Sequence, residues 1–324
     1  MRDRNVNWGV LGLAAALSSA GCQRQATESP TQGRLVVTAS ESHAPLLRRA
    51  AELFNSLYPE AQVEVRAQST REAFIALVED SVRIAAVDRA ANAEERLALE
   101  RAKVHVTEVR IGEDALGVFV HPSNTLGGLT REQLADVLGG RTTDWQSLPG
   151  AGVSGRIQLV LPGRNSGVWE LLTSMAVPGT VLAPAQVAAT EKEVLAQVLA
   201  QPNAVGVASI AAWKDPGAAR GVQIAASGEP GWANGISTTG AGALRALDAL
   251  VADSTGTWVA HPLHQANVHS GAYPWHFPVS LLFNQESRLA AGFASFVASA
   301  PGQKLVLGAG LVPATMPVRL VTLK

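Results

Sequence analysis

The sequence predicts an α/β fold in two lobes, on three observations. Strand-like runs alternate with helical runs, which implies mixed, mostly parallel sheets flanked by helices. Two such sets follow one another within 324 residues, enough chain for two medium-sized units with their own cores. Several strand-to-helix junctions carry hydroxyl, amide or guanidinium side chains. In sheets of this kind ligands sit beyond the carboxyl ends of the strands, so these junctions point to a ligand cleft between the lobes.

The elements are read in order from their periodicity. "RLVVTAS" predicts a strand, and "HAPLLRRAAELFNSLYP" a helix with apolar spacing at Leu46, Ala50, Leu53, Phe54 and Leu57. "QVEVRAQ", "TREAFIALVED" and "RIAAVDR" read as strand, helix and strand. "NAEERLALERA" predicts an Asn-capped helix, after which "VHVTEVR" precedes the apolar strand "ALGVFVHP". The second set runs through the Thr-capped helix "LTREQLADVLGG", the strand "IQLVLPG" and the helix "SGVWELLTSMA". It continues with the helix "TEKEVLAQVLAQP" and the strand "AVGVAS". Gly- and Pro-rich stretches follow, "SGEPGWANGISTTGAG" and "HPLHQANVHSGAYPW". The chain closes with the strand "FPVSLLF", one long helix over "SRLAAGFASFVASAPGQKLVLGAG", and the tail "LVPATMPVRLVTLK".

The N-terminus has a different character. Arg2 and Arg4 precede "WGVLGLAAAL", an apolar run too short for a permanent span, and small residues lead to Cys22, the only cysteine. This predicts a signal peptide over 1–21 that resembles a bacterial lipobox, with Ser19 where that motif has Leu, and lipidation of Cys22. Residues 22–33 are polar, contain Pro30 and read as a flexible tether from a lipid anchor. The protein is then expected outside the cytoplasm, periplasmic or at the cell surface, held to the membrane by lipid. The net charge of -1 argues against a nucleic-acid partner, which calls for a basic face.

Four strand ends share one design. "TASESHAPLL" places Ser40 and Ser42 at the start of a helix, and "AQSTREAF" places Ser69 and Thr70 there. "AAVDRAANAEE" ends a strand on Asp88 and Arg89, and "LPGRNSGVWELL" sets Arg164, Asn165, Ser166 and Gly167 where a strand becomes a helix. Ser and Thr at such places also serve as plain caps. Together, however, these junctions offer hydroxyls, backbone N–H groups and one guanidinium fork, a donor set suited to an oxyanion.

With those residues in view, the chain from about Leu35 onward resembles the phosphate-binding, substrate-capturing proteins of bacterial phosphate ABC transporters. The resemblance is carried by "DALGVFVHPSNTLGGLTREQLADVLGGRTTDWQSLPG", "NAVGVAS", "SGAYPWHFPVSLLF" and "FASFVASAPGQKLVLGAGLVP". It implies a two-lobed periplasmic binding protein fold of type II, with crossings near "GEDALG" and "GAYPWH". Lobe 1 is then 34–114 with 274–324, and lobe 2 is 115–273. It further implies capture of inorganic phosphate and delivery to a membrane permease, without covalent chemistry or cofactor.

Carried over position by position, the resemblance assigns Ser40, Ser42, Ser69, Asp88, Arg164, Ser166 and Gly167 to the anion site. Asp88 would accept the proton of hydrogen phosphate and face only lone pairs on sulfate, which selects against sulfate. The chain departs from the family at three points. Val168 replaces a Thr, the spacing after Arg164 is one residue shorter, and Glu41 stands in the first anion loop, where it would point outward, pair with Arg71 or, aimed inward, repel phosphate.

His261, His264, His269 and His276 lie close in sequence, but Pro262 breaks "HPLH" and no Cys accompanies them, so no metal site is expected. Other readings stay open: the same fold for another oxyanion, a phosphate-sensing receptor, a surface lipoprotein that has lost the site, or a phosphatase using Ser166 or Ser42. For Ser166 the last lacks a His or Lys base within its motif.

Overall fold

In the computed structural model, which describes residues 28–214, 245–252, 254–261 and 263–315, the first half alternates strictly. β1 (Gly33–Ala39), α1 (Ala44–Leu57), β2 (Ala61–Ala67), α2 (Thr70–Val78), β3 (Ile84–Val87) and α3 (Ala93–Ala102) follow one another. β1 pairs in parallel with both β2 and β3. Every residue of β3 is buried, and its side chains alternate between two apolar layers. Ile84 and Ala86 join the large core with Leu47 and Phe54 of α1. Ala85 and Val87 face Phe74 and Leu77 of α2 and Leu99 of α3. Local sequence starts the helices as expected. Ser69 with Glu72, and Asn92 with Glu95, form reciprocal capping boxes, each worth about 1 kcal/mol to its helix.

The next strand is longer than the sequence reading allows. "VHVTEVR" and "ALGVFVHP", read as two segments, form one strand, β4 (Val106–Val120). The intervening backbone stays extended because it changes partners without stopping. Val106–Ala115 pairs antiparallel with β12 (His276–Asn284), and Leu116–Val120 pairs antiparallel with β8 (Ala204–Ser209). β4 is thus common to two sheet segments, and the exchange falls at Asp114–Leu116.

Beyond β4 come β5 (Gly128–Thr130), α4 (Arg131–Leu138), β6 (Gln158–Pro162), α5 (Gly167–Leu171), β7 (Gln186–Ala188), α6 (Glu191–Ala200), β8 and α7 (Ile210–Lys214). Thr130 caps α4 with Gln133 as its reciprocal partner. "SGVWELLTSMA", read as one helix, loosens into a wider π turn over Leu172–Ala176 after only five α-helical residues. β9 (Arg245–Ala246), β10 (Asp248–Ala252) and β11 (Trp258–His261) were not read from the sequence. β10 and β11 join β5 in a separate three-stranded sheet. The stretch around 261–275, read as irregular, contains α8 (Gln265–His269).

The long closing helix is two. α9 (Arg288–Ala298) ends at Ser299, and α10 (Ala300–Gly308) begins at once, with Pro301 in its first turn. Proline has no N–H to continue the first helix but suits the opening turn of the second. β13 (Val312–Pro313) then pairs with Gly112–Glu113 of β4.

The strand order of the main sheet is β2-β1-β3-β12-β4-β8-β6-β7. Parallel pairs occupy the two ends, and β12 and β4 run antiparallel to their neighbours through the middle. The result is a two-lobed α/β fold with β4 running through both. The signal segment, Cys22 with residues 23–27 of the tether, and the stretch 227–242 lie outside the described residues. The end of the tether is not free: Glu28 Oε1 accepts from Ser287 Oγ and Leu289 N at the start of α9, and Gly33 already belongs to β1.

Candidate functional site

All seven sequence-assigned residues line one cleft of about 440 Å³. Ser40 and Ser42 come from the turn between β1 and α1, Ser69 from the start of α2, and Asp88 from the end of β3. Arg164, Ser166 and Gly167 come from the loop between β6 and α5. The sheet brings residues more than a hundred positions apart to one opening because β1 and β3 run with β4 and β6 runs against it, so the carboxyl ends of the two parallel sets point toward each other across the exchange point of β4.

On the β1–β3 side the polar groups are already engaged. Ser40 is buried, and its carbonyl accepts from His43 N and Ala44 N, which starts α1. Its Oγ lies 3.2 Å from Ser42 Oγ and 2.7 Å from His43 Nδ1. Ser69 lines the cleft while serving as a plain cap. Its Oγ accepts from Glu72 N and donates to Glu72 Oε2 at 2.9 Å. Its neighbour Thr70, buried, donates to Asp88 Oδ1 at 2.6 Å and so fixes the carboxylate. Asp88 makes no salt bridge to Arg89 or Arg71 among the described residues.

Arg89 instead holds Glu95 with two parallel bonds of 2.7 and 2.9 Å, and its Nε lies 2.7 Å from Glu170 of α5. Those hydrogen bonds, the one to Glu95 first, raise its pKa further despite partial burial. Because Arg89 follows β3 and Glu170 lies on α5, this ion pair crosses the cleft.

The β6–α5 loop differs. Arg164 is exposed, its guanidinium 5.4 Å from the centre of the Trp169 ring, and no carboxylate among the described residues pairs with it. Ser166 N donates to Gly163 O, and Ser166 Oγ caps α5 by accepting from Trp169 N at 3.1 Å. A Cβ on Gly167 would lie 2.2 Å from Asp88 Oδ2, so glycine is required here for space. Val168 turns its side chain into the core.

Titratable residues in or beside the cleft were also not assigned from the sequence, or were placed differently. Glu191, at the start of α6, is buried and accepts from Ser209 N at 2.6 Å. Burial raises its pKa, the bonds from Ser209 oppose the rise, and nearby Asp114 adds to it. The signal was the Thr-Glu pair at a strand-to-helix junction, the same kind of place as the other four. Glu41 lines the cleft, and its charged neighbours are Lys192 and Glu193 rather than Arg71. Partial burial raises its pKa, Lys192 lowers it, and Glu193 raises it again. His43 Nε2 lies 2.9 Å from Asp114 Oδ2, both residues buried.

The histidines weighed from the sequence lie elsewhere. His264 caps α8 and His276 approaches Glu113, and no group of three metal-ligating side chains forms among the described residues. No helix among them is long and apolar enough to cross a membrane.

Residues 24–301 match the family model of the PBP superfamily domain. Among sequence relatives, "Phosphate-binding protein PstS" of Pseudomonas aeruginosa is 29% identical over 167 residues, covering 49% of this chain and 51% of its own length. "Protein SphX" of Synechococcus elongatus is 26% identical over 167 residues, covering 50% and 48%. The matched stretch thus spans about half the length of these relatives. Solved structures align over more of the chain. An ABC-type phosphate transport receptor from Vibrio cholerae superposes with a TM-score of 0.63 at 22% identity, over 87% of this chain and 100% of its own. A phosphate ABC transporter substrate-binding protein with bound phosphate, from Clostridium perfringens, gives 0.68 at 19%, with coverage of 87% and 100%.

Proposed function

We propose, from the premise that this chain belongs to the PBP superfamily, that it captures inorganic phosphate in the cleft and hands it to an ABC transporter permease. The observation that carries this reading is the convergence of Ser40, Ser42, Ser69, Asp88, Arg164, Ser166 and Gly167 on one cleft, with Arg164 free of any carboxylate partner among the described residues. The phosphate-binding relatives and the phosphate-bound structure support the choice of anion.

In this reading Arg164 presents a two-pronged donor to the phosphate oxygens, and the serine hydroxyls and loop N–H groups add neutral donors. Asp88, its Oδ1 held by Thr70, offers Oδ2 toward Gly167 and accepts the proton of hydrogen phosphate. Sulfate has no proton to give and is excluded. Closure follows from rotation about the β4 crossing, with 34–114 and 274–324 as one lobe and 115–273 as the other. Residues 1–21 are cleaved, Cys22 is lipidated, and the protein works outside the cytoplasm as a membrane-tethered, non-enzymatic receptor.

A second oxyanion is the alternative, favoured by Glu41 at the cleft wall and by Val168 in place of a hydroxyl donor. The experiment is calorimetric titration of ligand-stripped protein with phosphate, sulfate and a wider anion panel. Phosphate binding without heat from sulfate supports the assignment; binding of another anion alone replaces it.

A further inference from the structure

The cleft loop after β1 contains one buried group that anion capture as described leaves unused. His43 is 2% exposed and stands at the N-cap of α1. Both ring nitrogens are engaged: Nδ1 lies 2.7 Å from Ser40 Oγ, and Nε2 lies 2.9 Å from Asp114 Oδ2. A carboxylate can only accept, so Nε2 carries a hydrogen. Nδ1 then either accepts from the Ser40 hydroxyl, in a neutral ring, or donates to it, in a cation.

The surroundings decide between the two. Asp114 of β4 touches the ring at Nε2, Asp88 at the end of β3 and Glu191 of α6 add negative charge nearby, and the Phe277 ring of β12 meets it nearly edge-on. No cation is among them. Burial pulls the imidazole pKa down, but the hydrogen bond and charge of Asp114, with the charges of Asp88 and Glu191, carry it above its ordinary value.

We propose that His43 is a positioning residue of the cleft: held as an imidazolium between Asp114 and Ser40, it donates Nδ1–H to Ser40 Oγ and so frees the Ser40 hydroxyl hydrogen to point toward the cleft, where Ser42 and an anion can accept it. Ser40 with its hydrogen turned to His43 would present only lone pairs to an anion; with His43 charged, it presents a donor backed by a cation. The second carboxylate oxygen of Asp114 accepts from Ala115 N at 2.7 Å and lies 3.4 Å from Ala211 N of α7. Asp114 sits where β4 exchanges β12 for β8, so the chain of contacts joins the anion loop to the crossing strand. The residue types are those of a hydrolytic triad, but a protonated His43 cannot take the serine proton, and Ser40 is a donor rather than a nucleophile. The ligand in this inference rests on the phosphate reading above; the state of the ring does not.

The test combines imidazole ¹⁵N NMR on the full chain at pH 7.5 with phosphate titrations from pH 6 to 9. Hydrogens on both nitrogens of His43 are expected, and a single one overturns the proposal. Wild-type protein should lose phosphate affinity as pH rises through the elevated imidazole range, by about tenfold more than His43→Gln does. The Ser40→Ala/His43→Gln double variant should bind no more weakly than Ser40→Ala alone; fully additive losses contradict the linkage. Asp114→Asn should reduce the NMR spectrum to one ring hydrogen. If these variants fail to fold, the wild-type NMR decides alone. If wild-type protein binds no phosphate, the functional reading fails while the ring state still decides the proposal. Turnover of p-nitrophenyl phosphate that depends on Ser40 and His43 would make Ser40 a nucleophile and overturn it.

Discussion

The two walls of the cleft are built on opposite plans. On the β1–β3 wall, Ser40, His43, Thr70 and Asp88 are buried, and each is hydrogen-bonded within the wall. On the β6–α5 wall, Arg164 and Asn165 are exposed, and the guanidinium rests on the Trp169 ring with no carboxylate partner among the described residues. In the proposed function the first wall is organised before a ligand arrives and its groups would distinguish one anion from another. The second wall would supply charge and meet the ligand on closure. Most of the affinity should therefore follow the exposed wall, and selectivity the buried one.

The largest expected effect is on the exposed wall. Arg164→Ala should weaken phosphate binding by about 1.5–3 kcal/mol, roughly ten- to a hundredfold, with little change in Tm. Arg164→Lys should recover only part, since it restores the charge without the fork. Equal calorimetric affinities for wild-type and Arg164→Ala proteins would remove charge supply from that wall.

Where the walls touch, Gly167→Ala should cost both binding and stability. Its Cβ would meet Asp88 Oδ2, and overpacking of this kind costs about 1–3 kcal/mol. Denaturant unfolding together with phosphate titration would register both losses. Thr70→Val acts on the buried wall alone, leaving Asp88 Oδ1 without its donor. Stability should fall by about 1–3 kcal/mol, and the preference for phosphate over sulfate should narrow.

Glu191→Gln sharpens the electrostatic side of the comparison. The folded-state pKa of Glu191 is raised, so its penalty is absent below the ordinary carboxylate range and grows as pH rises toward the folded value. The variant should match wild type in Tm near pH 4 and exceed it at pH 8, by about 2–4 °C. The smallest effect belongs to the ion pair across the cleft. Glu170→Gln removes a partner that is 41% exposed, and should change stability by less than about 1 kcal/mol.

The sequence made the outline of this molecule legible, because its helix starts are written locally. Asn92 with Glu95 and Thr130 with Gln133 are cap pairs that any reader of spacing finds. That the seven residues proposed for the site share one cleft was legible from the hydroxyls, acid and guanidinium at strand ends together with the family resemblance that assigned them. What local spacing could not reveal is long-range. The continuity of β4 depends on a change of partner between β12 and β8, strands far away in the chain. The division of the closing helix turns on one residue, Pro301, inside an unbroken apolar pattern. Thr70 was visible beside Ser69, but only the fold shows that the threonine, not the serine, holds Asp88. His43 went unassigned because its partner Asp114 is 71 residues away, while the four histidines at 261–276 stood out by crowding and by the spacing of "HPLH".

The central claim is that the buried wall selects and the exposed wall attracts, and Asp88 tests it most directly. The measurement is calorimetric titration of wild-type and Asp88→Asn proteins with phosphate and sulfate in parallel at neutral pH. The expected result is phosphate binding without sulfate binding in the wild type, and measurable sulfate affinity once the carboxylate becomes an amide that can donate. An unchanged preference for phosphate in Asp88→Asn would contradict the account, because selection would then not reside in that carboxylate.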